Sequence, residues 1–130
     1  MTNTVFVYGT LKGMSKGKYL GTGVTNGLYV MWGEGFPRCI PVTDPRAQEY
    51  FDRAAPVRGE LYEVTESELE YLDDYEGAPH YYDAYEVSII PDYGDREPIK
   101  ALMYHSKNAW DYLLTPVVKP SKDGTHNWQR

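Results

Sequence analysis

The sequence predicts an α+β fold built on a mostly antiparallel, barrel-like sheet. Three observations carry this: about five short β-prone segments, one well-capped helix, and an order that does not alternate strand with helix as a doubly wound parallel sheet requires. Thr4-Val5-Phe6-Val7-Tyr8 is β-branched and aromatic and stops at Gly9, the pattern of a buried strand that ends in a turn. Gly13, Gly17, Gly21 and Gly23 make residues 9 to 23 read as irregular. Leu28 to Trp32 is β-prone and leads into Gly33-Glu34-Gly35-Phe36-Pro37, read as a loop. Residues 44 to 56 fit neither period, whereas Val57 to Val64 alternates as a strand does.

Thr65 stands three residues before Glu68, the capping-box spacing in which each side chain satisfies a backbone N–H at a helix start. The helix runs from Glu66 to about Glu76 and stops against Gly77, with Pro79 beyond. Tyr85 to Ile90 and Ile99 to Tyr104 flank the turn-rich Pro91-Asp92-Tyr93-Gly94-Asp95 and form a hairpin. Asn108 is placed to cap a short helix through Leu114, and residues 115 to 130 read as an irregular tail. No Pro/Ser/Gly linker divides the 130 residues, so one domain over 1–130 is expected.

Composition bounds the function. A formal net charge of -6 leaves no whole-molecule positive field for phosphate backbones, so nucleic acid is not expected as a partner. Neither a signal peptide nor a long apolar run is recognisable, so no membrane association is expected. The lone Cys39 excludes an internal disulfide and fits a reducing, cytoplasmic setting; it reads as a small apolar residue rather than a nucleophile, having no local histidine. His80, His105 and His126 are far apart and lack a partner at ligand spacing, so no metal site is expected. Thirteen tyrosines against three phenylalanines and three tryptophans are the compositional oddity. Tyrosine packs like an apolar residue, yet its hydroxyl must find a partner, which suits a wet pocket or a partner surface as well as a core.

Two places can carry chemistry. On a helical wheel Leu69, Leu72 and Glu76 fall within about 60° of one another, so Glu76 extends the apolar stripe. It also sits in the last turn, where the helix dipole disfavours a carboxylate. Burial and dipole together predict a raised pKa for Glu76, suited to general acid/base work, unless the helix frays or the side chain turns out to water. Asp73 borders the stripe, while Glu66, Glu70 and Asp74 form a solvated face. The second place is the strand-to-loop junction Tyr8-Gly9-Thr10-Leu11-Lys12. There a glycine lets backbone N–H groups turn toward a carboxylate or an oxyanion, although such a sequence is equally that of a plain turn. Neither a phosphate loop nor a GxSxG elbow occurs.

VFVYGTLK at residues 5 to 12, Gly-Phe-Pro at 35 to 37, RGELYEV at 58 to 64, LDDYEG at 72 to 77 and ALMY at 101 to 104 follow one another in the order and spacing of the γ-glutamylcyclotransferase-like family. The sequence most resembles the γ-glutamylamine cyclotransferase and AIG2-like members, over about residues 4 to 105. The resemblance implies a small mixed, mostly antiparallel β-barrel flanked by short helices, with a cavity floored by the YGTL loop. It also implies Glu76 as the catalytic acid/base, and Tyr8, Gly9, Thr10 and Leu11 as the cradle for a glutamyl group, with Tyr82 and Tyr104 lining the pocket. Relatives often carry arginine two residues beyond the aromatic at position 82, where this chain has Ala84. The implied activity converts a γ-glutamyl amide or amine to 5-oxoproline without a cofactor. A binding or sequestering protein that uses the same cavity is the alternative, and protein–protein contact through surface tyrosines is a third reading.

Overall fold

The computed structural model describes residues 2–8, 17–33, 37–76, 82–106 and 118–127. Strands β1 (Thr2–Val7), β2 (Lys18–Thr25), β5 (Arg58–Thr65), β6 (Tyr82–Pro91) and β7 (Ile99–Ser106) close a barrel in the order β1-β5-β2-β6-β7. The seam between β7 and β1 is parallel at Val5 and Leu102, and the other ladders are antiparallel. Strands β3 (Tyr29–Gly33) and β4 (Pro37–Pro41) form a separate two-stranded sheet. Helix α1 (Glu66–Glu76) and a 3-10 segment (Pro45–Arg53) complete the described regular structure.

The α+β barrel, mixed and mostly antiparallel, is the fold class expected from the sequence, and the limits of α1 match the capping signals. The Thr65 N–H donates to Glu68 Oε1 at 2.9 Å and the Glu68 N–H donates to Thr65 Oγ1 at 3.2 Å, so the capping box is formed in both directions. The β6–β7 hairpin pairs from Tyr82 with Ser106 to Ile89 with Ile99. The helix expected from Asn108 to Leu114 lies outside the described residues.

Two elements differ from the sequence reading. Residues 18 to 23, read as irregular, belong to β2, and Pro37, read as the end of a loop, opens β4. In β2 the glycines mark close approach rather than a break. Gly23 pairs with Gly59 of β5, where a Cβ would collide with the Val7 carbonyl oxygen and the Phe6 ring; a Cβ on Gly23 would come within 3.0 Å of Ile89 and of the Ile90 carbonyl. Gly21, at φ +139, sits at a register shift and lies beneath the Tyr93 ring. In β4 the prolines stand only at the two ends, where a missing N–H costs a ladder least.

Side chains separate into an inner and an outer layer. Phe6, Tyr8, Tyr29, Met31, Cys39, Val57, Leu61, Ile89, Ala101 and Met103 form the inner cluster. Val5, Val7, Tyr62, Val64, Leu72 and Tyr104 form a second cluster under α1, with Leu69 packed against it. Full burial of Leu72 is worth about 2 kcal/mol.

Residues 118–127, without regular structure, are nonetheless pinned to the barrel. The Val118 N–H donates to the Met31 carbonyl at 2.8 Å, and His126 donates to Pro56 while its carbonyl accepts from Arg58. His126 is fully buried, with Nε2 3.0 Å from the Arg53 carbonyl, so that nitrogen carries the proton. Arg58 reaches Asp92 at 3.0 Å and Asp123 at 3.6 Å, which joins the hairpin turn and this segment to β5.

Gly59→Ala is expected to cost about 2 kcal/mol or more in urea unfolding, because backbone and an aromatic ring occupy the space. Gly27→Ala, which meets nothing within 4 Å, should stay within about 0.5 kcal/mol. Equal effects would remove the close-approach account. Burial lowers the pKa of His126 below 6.5, with the Arg53 and Tyr29 carbonyls pulling the other way. The native state therefore disfavours the protonated form, and the stability this residue contributes at neutral pH is lost as pH falls below about 6.5. An NMR titration placing the His126 ring at or above the ordinary histidine value would contradict this.

Candidate functional site

The topology gathers four of the expected positions at one end of the barrel. Thr65 pairs with Thr2, so α1 begins where β1 begins. The helix then runs about 16 Å back along the wall, packing Leu69 and Leu72 with Val5 and Val7, and ends where β1 ends. Strand β7 is parallel to β1, with Val5 level with Leu102, so Tyr104 lies level with Val7 beside Tyr8. Strand β6 is antiparallel to β7 and begins there, with Tyr82 opposite Ser106. The backbones of Tyr8, Glu76, Tyr82 and Tyr104 thus converge. Gly9, Thr10 and Leu11, the loop that follows β1, lie outside the described residues, as do the side chains of Glu76 and Tyr82.

Tyr8 and Tyr104 are both buried, and their side chains serve different layers. The Tyr8 hydroxyl donates to the Tyr104 carbonyl at 2.7 Å from within the inner cluster. The Tyr104 ring lies in the outer cluster with Leu72, and Ala84, its partner across the hairpin, is packed there too. Cys39 is fully buried and hydrogen-bonded to Tyr8. Burial drives the Cys39 thiol far above its ordinary pKa, against a smaller opposing effect of the Tyr8 bond. Burial, and then the neighbouring Cys39, push Tyr29 up to about 12. The geometry makes Cys39 an inert packing residue.

A cavity of about 650 Å³ opens beside this end, between the residues that follow β4 and the β6–β7 hairpin. Its lining includes Tyr29, Ile40, Asp44, Tyr85, Glu86 and His105. His105 is buried and held between two tyrosines: Tyr85 stacks on it with centroids 4.9 Å apart, and Tyr29 meets it edge-on at 5.3 Å. The sequence reading did not single out Tyr29, Tyr85 or His105. The signal that finds them is the period of two: Tyr85 and Val87 share one face of β6, and Met103 and His105 share one face of β7. Among the described residues no group of three or more His, Cys, Asp or Glu side chains is arranged to hold a metal.

With this geometry in place, comparison with known proteins defines the class. Residues 5–130 match the family model described as gamma-glutamyl cyclotransferase, AIG2-like, beyond the 4–105 span of the motifs. The "Putative gamma-glutamylcyclotransferase" of Methanocaldococcus jannaschii is 34% identical over 108 residues, covering 77% of this chain and 81% of that one. The Drosophila melanogaster protein of the same name is 34% identical over 135 residues, covering 96% and 83%. A mouse AIG2-like protein of known crystal structure superposes with a TM-score of 0.70 at 24% identity over 99% of this chain and 97% of its own, which supports the fold. The chain belongs to the gamma-glutamyl cyclotransferase, AIG2-like family.

Cys39 should resist an aromatic disulfide reagent at pH 8 in the native protein and react at once in denaturant, because its thiolate is suppressed by burial. Tyr8→Phe should destabilise by about 1–3 kcal/mol through the orphaned Tyr104 carbonyl. Native-state labelling at the denatured rate would refute the assignment of Cys39.

Proposed function

We propose that the chain is a γ-glutamyl cyclotransferase that converts a γ-glutamyl amide into 5-oxoproline and a free amine, with Glu76 as the acid/base. The packing of α1 on β1 and β7, with Leu72 against Val7 and Tyr104, supports this reading, because Glu76 is one turn further along the same helix.

The chemistry needs little else. The substrate's α-ammonium gives a proton to the Glu76 carboxylate, and the freed amine attacks its own γ-carbonyl carbon. A C–N bond forms and closes a five-membered ring through a tetrahedral oxyanion. The oxyanion collapses, the original amide C–N bond breaks, and the departing nitrogen takes the proton from Glu76. The carboxylate so restored takes the second proton from the ring nitrogen and passes it to the released amine, which leaves as an ammonium, so a single carboxyl used twice suffices. Nucleophile and electrophile share one molecule, so holding the glutamyl chain folded supplies much of the rate. Backbone N–H groups at Tyr8 to Leu11 are the candidates for holding the α-carboxylate or the oxyanion. Tyr82 and Tyr104 would then flank the glutamyl chain.

The family membership supports the reaction class, and the wheel position of Glu76, reached from the residues alone, supports the choice of acid/base. Ala84 shares the outer cluster with Tyr104 and Leu72, so the side of the pocket where relatives often carry an arginine is apolar here. That difference bears on which amide is accepted.

Glu76→Gln should lower 5-oxoproline release by about 100-fold or more, while the far-UV circular dichroism and melting temperature stay near wild type. A variant that turns over at the wild-type rate would exclude Glu76. Ligand binding by the wild type without any product would replace the enzyme with a sequestering protein.

A further inference from the structure

We propose that Glu68 is a positioning residue for the cyclisation: its carboxylate fixes Gly17, where the segment that carries Gly9, Thr10 and Leu11 returns to the barrel, to the first turn of the helix that carries Glu76. The inference rests on the cyclisation reading above and adds to it a residue that sets the cradle and the acid/base in one frame.

The two oxygens of Glu68 have separate duties. Oε1 accepts from the Thr65 N–H at 2.9 Å and closes the capping box, while Oε2 accepts from the Gly17 N–H at 2.8 Å, across 51 residues of sequence. A capping box needs one side-chain oxygen at the third helical position, so the contact with Gly17 is an addition to it. The capping bonds are exposed, whereas the Gly17 bond is part-buried, and the carboxylate acceptor makes it charge-assisted. Water therefore competes least for the bond that helix capping does not require.

Gly17 is shaped for this contact. Its φ of +82 is in the left-handed region, and an added Cβ would stand 2.8 Å from Val64 Cγ1 and 2.9 Å from the Glu63 carbonyl oxygen, so no larger residue fits the backbone as it stands. The β2–β5 ladder begins one residue later, at Lys18 and Glu63, so the Gly17 N–H leaves the ladder and turns to α1. Residues 9–16 therefore lie between two residues tied by side chains: Tyr8, whose hydroxyl donates to the Tyr104 carbonyl, and Gly17. Tyr8 opens the proposed cradle, and Glu68 stands eight residues, about 12 Å, before Glu76 on one helix. Strand β5 passes directly into α1 at Thr65, so Glu68 joins strand, helix and returning segment at a single point. A shift of the helix relative to that segment would change the separation of acid/base and substrate, and a displacement of about 1 Å can cost about 100-fold in rate.

The test compares Glu68→Ala, which removes both carboxylate bonds, with Thr65→Ala, which removes the bond from the Glu68 N–H to Thr65 Oγ1 and leaves the carboxylate in place. Each variant should lower the melting temperature by about 3–8 °C. With γ-glutamylalanine and γ-glutamylbutylamine as substrates, Glu68→Ala should lower kcat for 5-oxoproline release by about tenfold or more with KM changed by less than about threefold, and Thr65→Ala should keep both constants within about twofold of wild type. Hydrogen exchange gives a readout that needs no turnover: the Gly17 amide should exchange about tenfold or more faster in Glu68→Ala than in Thr65→Ala. If both variants lose activity in proportion to their melting temperatures, or Glu68→Ala turns over at the wild-type rate, Glu68 is a helix cap alone and the positioning role is overturned while the cyclisation stands. Equal exchange of the Gly17 amide in the two variants overturns it as well. If the wild type releases no 5-oxoproline from either amide, the cyclisation itself fails, and the positioning role fails with it.

Discussion

The hydrogen bond from the Tyr8 hydroxyl to the Tyr104 carbonyl is the contact around which the working end of this molecule is arranged. It spans the parallel seam between β1 and β7, where regular pairing is recorded at Val5 and Leu102. The Tyr104 carbonyl lies on a strand whose neighbouring side chains are buried, and the bond is worth about 1 kcal/mol. Cys39 meets the same Tyr8 side chain in the inner cluster, which brings β4 to the seam. Three elements therefore meet at the residue where β1 stops. A turn that leaves from so constrained a point can hold backbone donors in a set direction, which is what an anion cradle requires.

The closeness of the barrel strands is the second constraint, and it is the part of the fold least legible from residues alone. The run from Thr4 to Tyr8 and the Thr65/Glu68 box announce their elements because the information is local: an unbroken β-branched and aromatic run in one case, reciprocal capping in the other. Strand β2 carries Gly21 and Gly23, which lower strand propensity wherever they are considered in isolation. Their reason is across the sheet, where Gly23 meets Gly59 and Gly21 lies under Tyr93. The 3-10 segment over residues 45 to 53 has the same difficulty. Its partners are Trp32, which Tyr50 meets edge-on, and the β3–β4 sheet, and nothing in its own sequence reports them. Of the site, the wheel could select Glu76 and the motif order could select the YGTL turn. His105 was passed over because a histidine was weighed as a metal ligand and not as a ring between two tyrosines.

Charge has a second role once the fold is in view. A net charge of -6 argues only against polyanionic partners when it is taken over the whole molecule. Local placement says more. Arg58 is engaged with Asp92 and Asp123 and binds the chain's own hairpin turn to residues 118–127. Lys100 lies beside Glu86. In the same way the conspicuous tyrosines sort by neighbour: Tyr8 and Tyr104 into the seam, Tyr29 and Tyr85 into the cavity wall, Tyr93 onto a glycine.

The β6–β7 hairpin is one ribbon that serves two layers. Successive residues on a strand face opposite ways, so Tyr104 and Ala84 belong to the layer under α1 while His105 and Tyr85 belong to the cavity. A one-residue slip in register would send the histidine under the helix and the tyrosine into the cavity. The register is held from Tyr82 to Ile89 by eight paired positions, and at the far end by Asp92, which accepts from Thr22 and from Arg58. The two faces therefore cannot exchange without unpairing the hairpin. A change at Tyr85 therefore leaves the helix in place, whereas a change at Leu72 would reach Glu76 through the helix that bears them both.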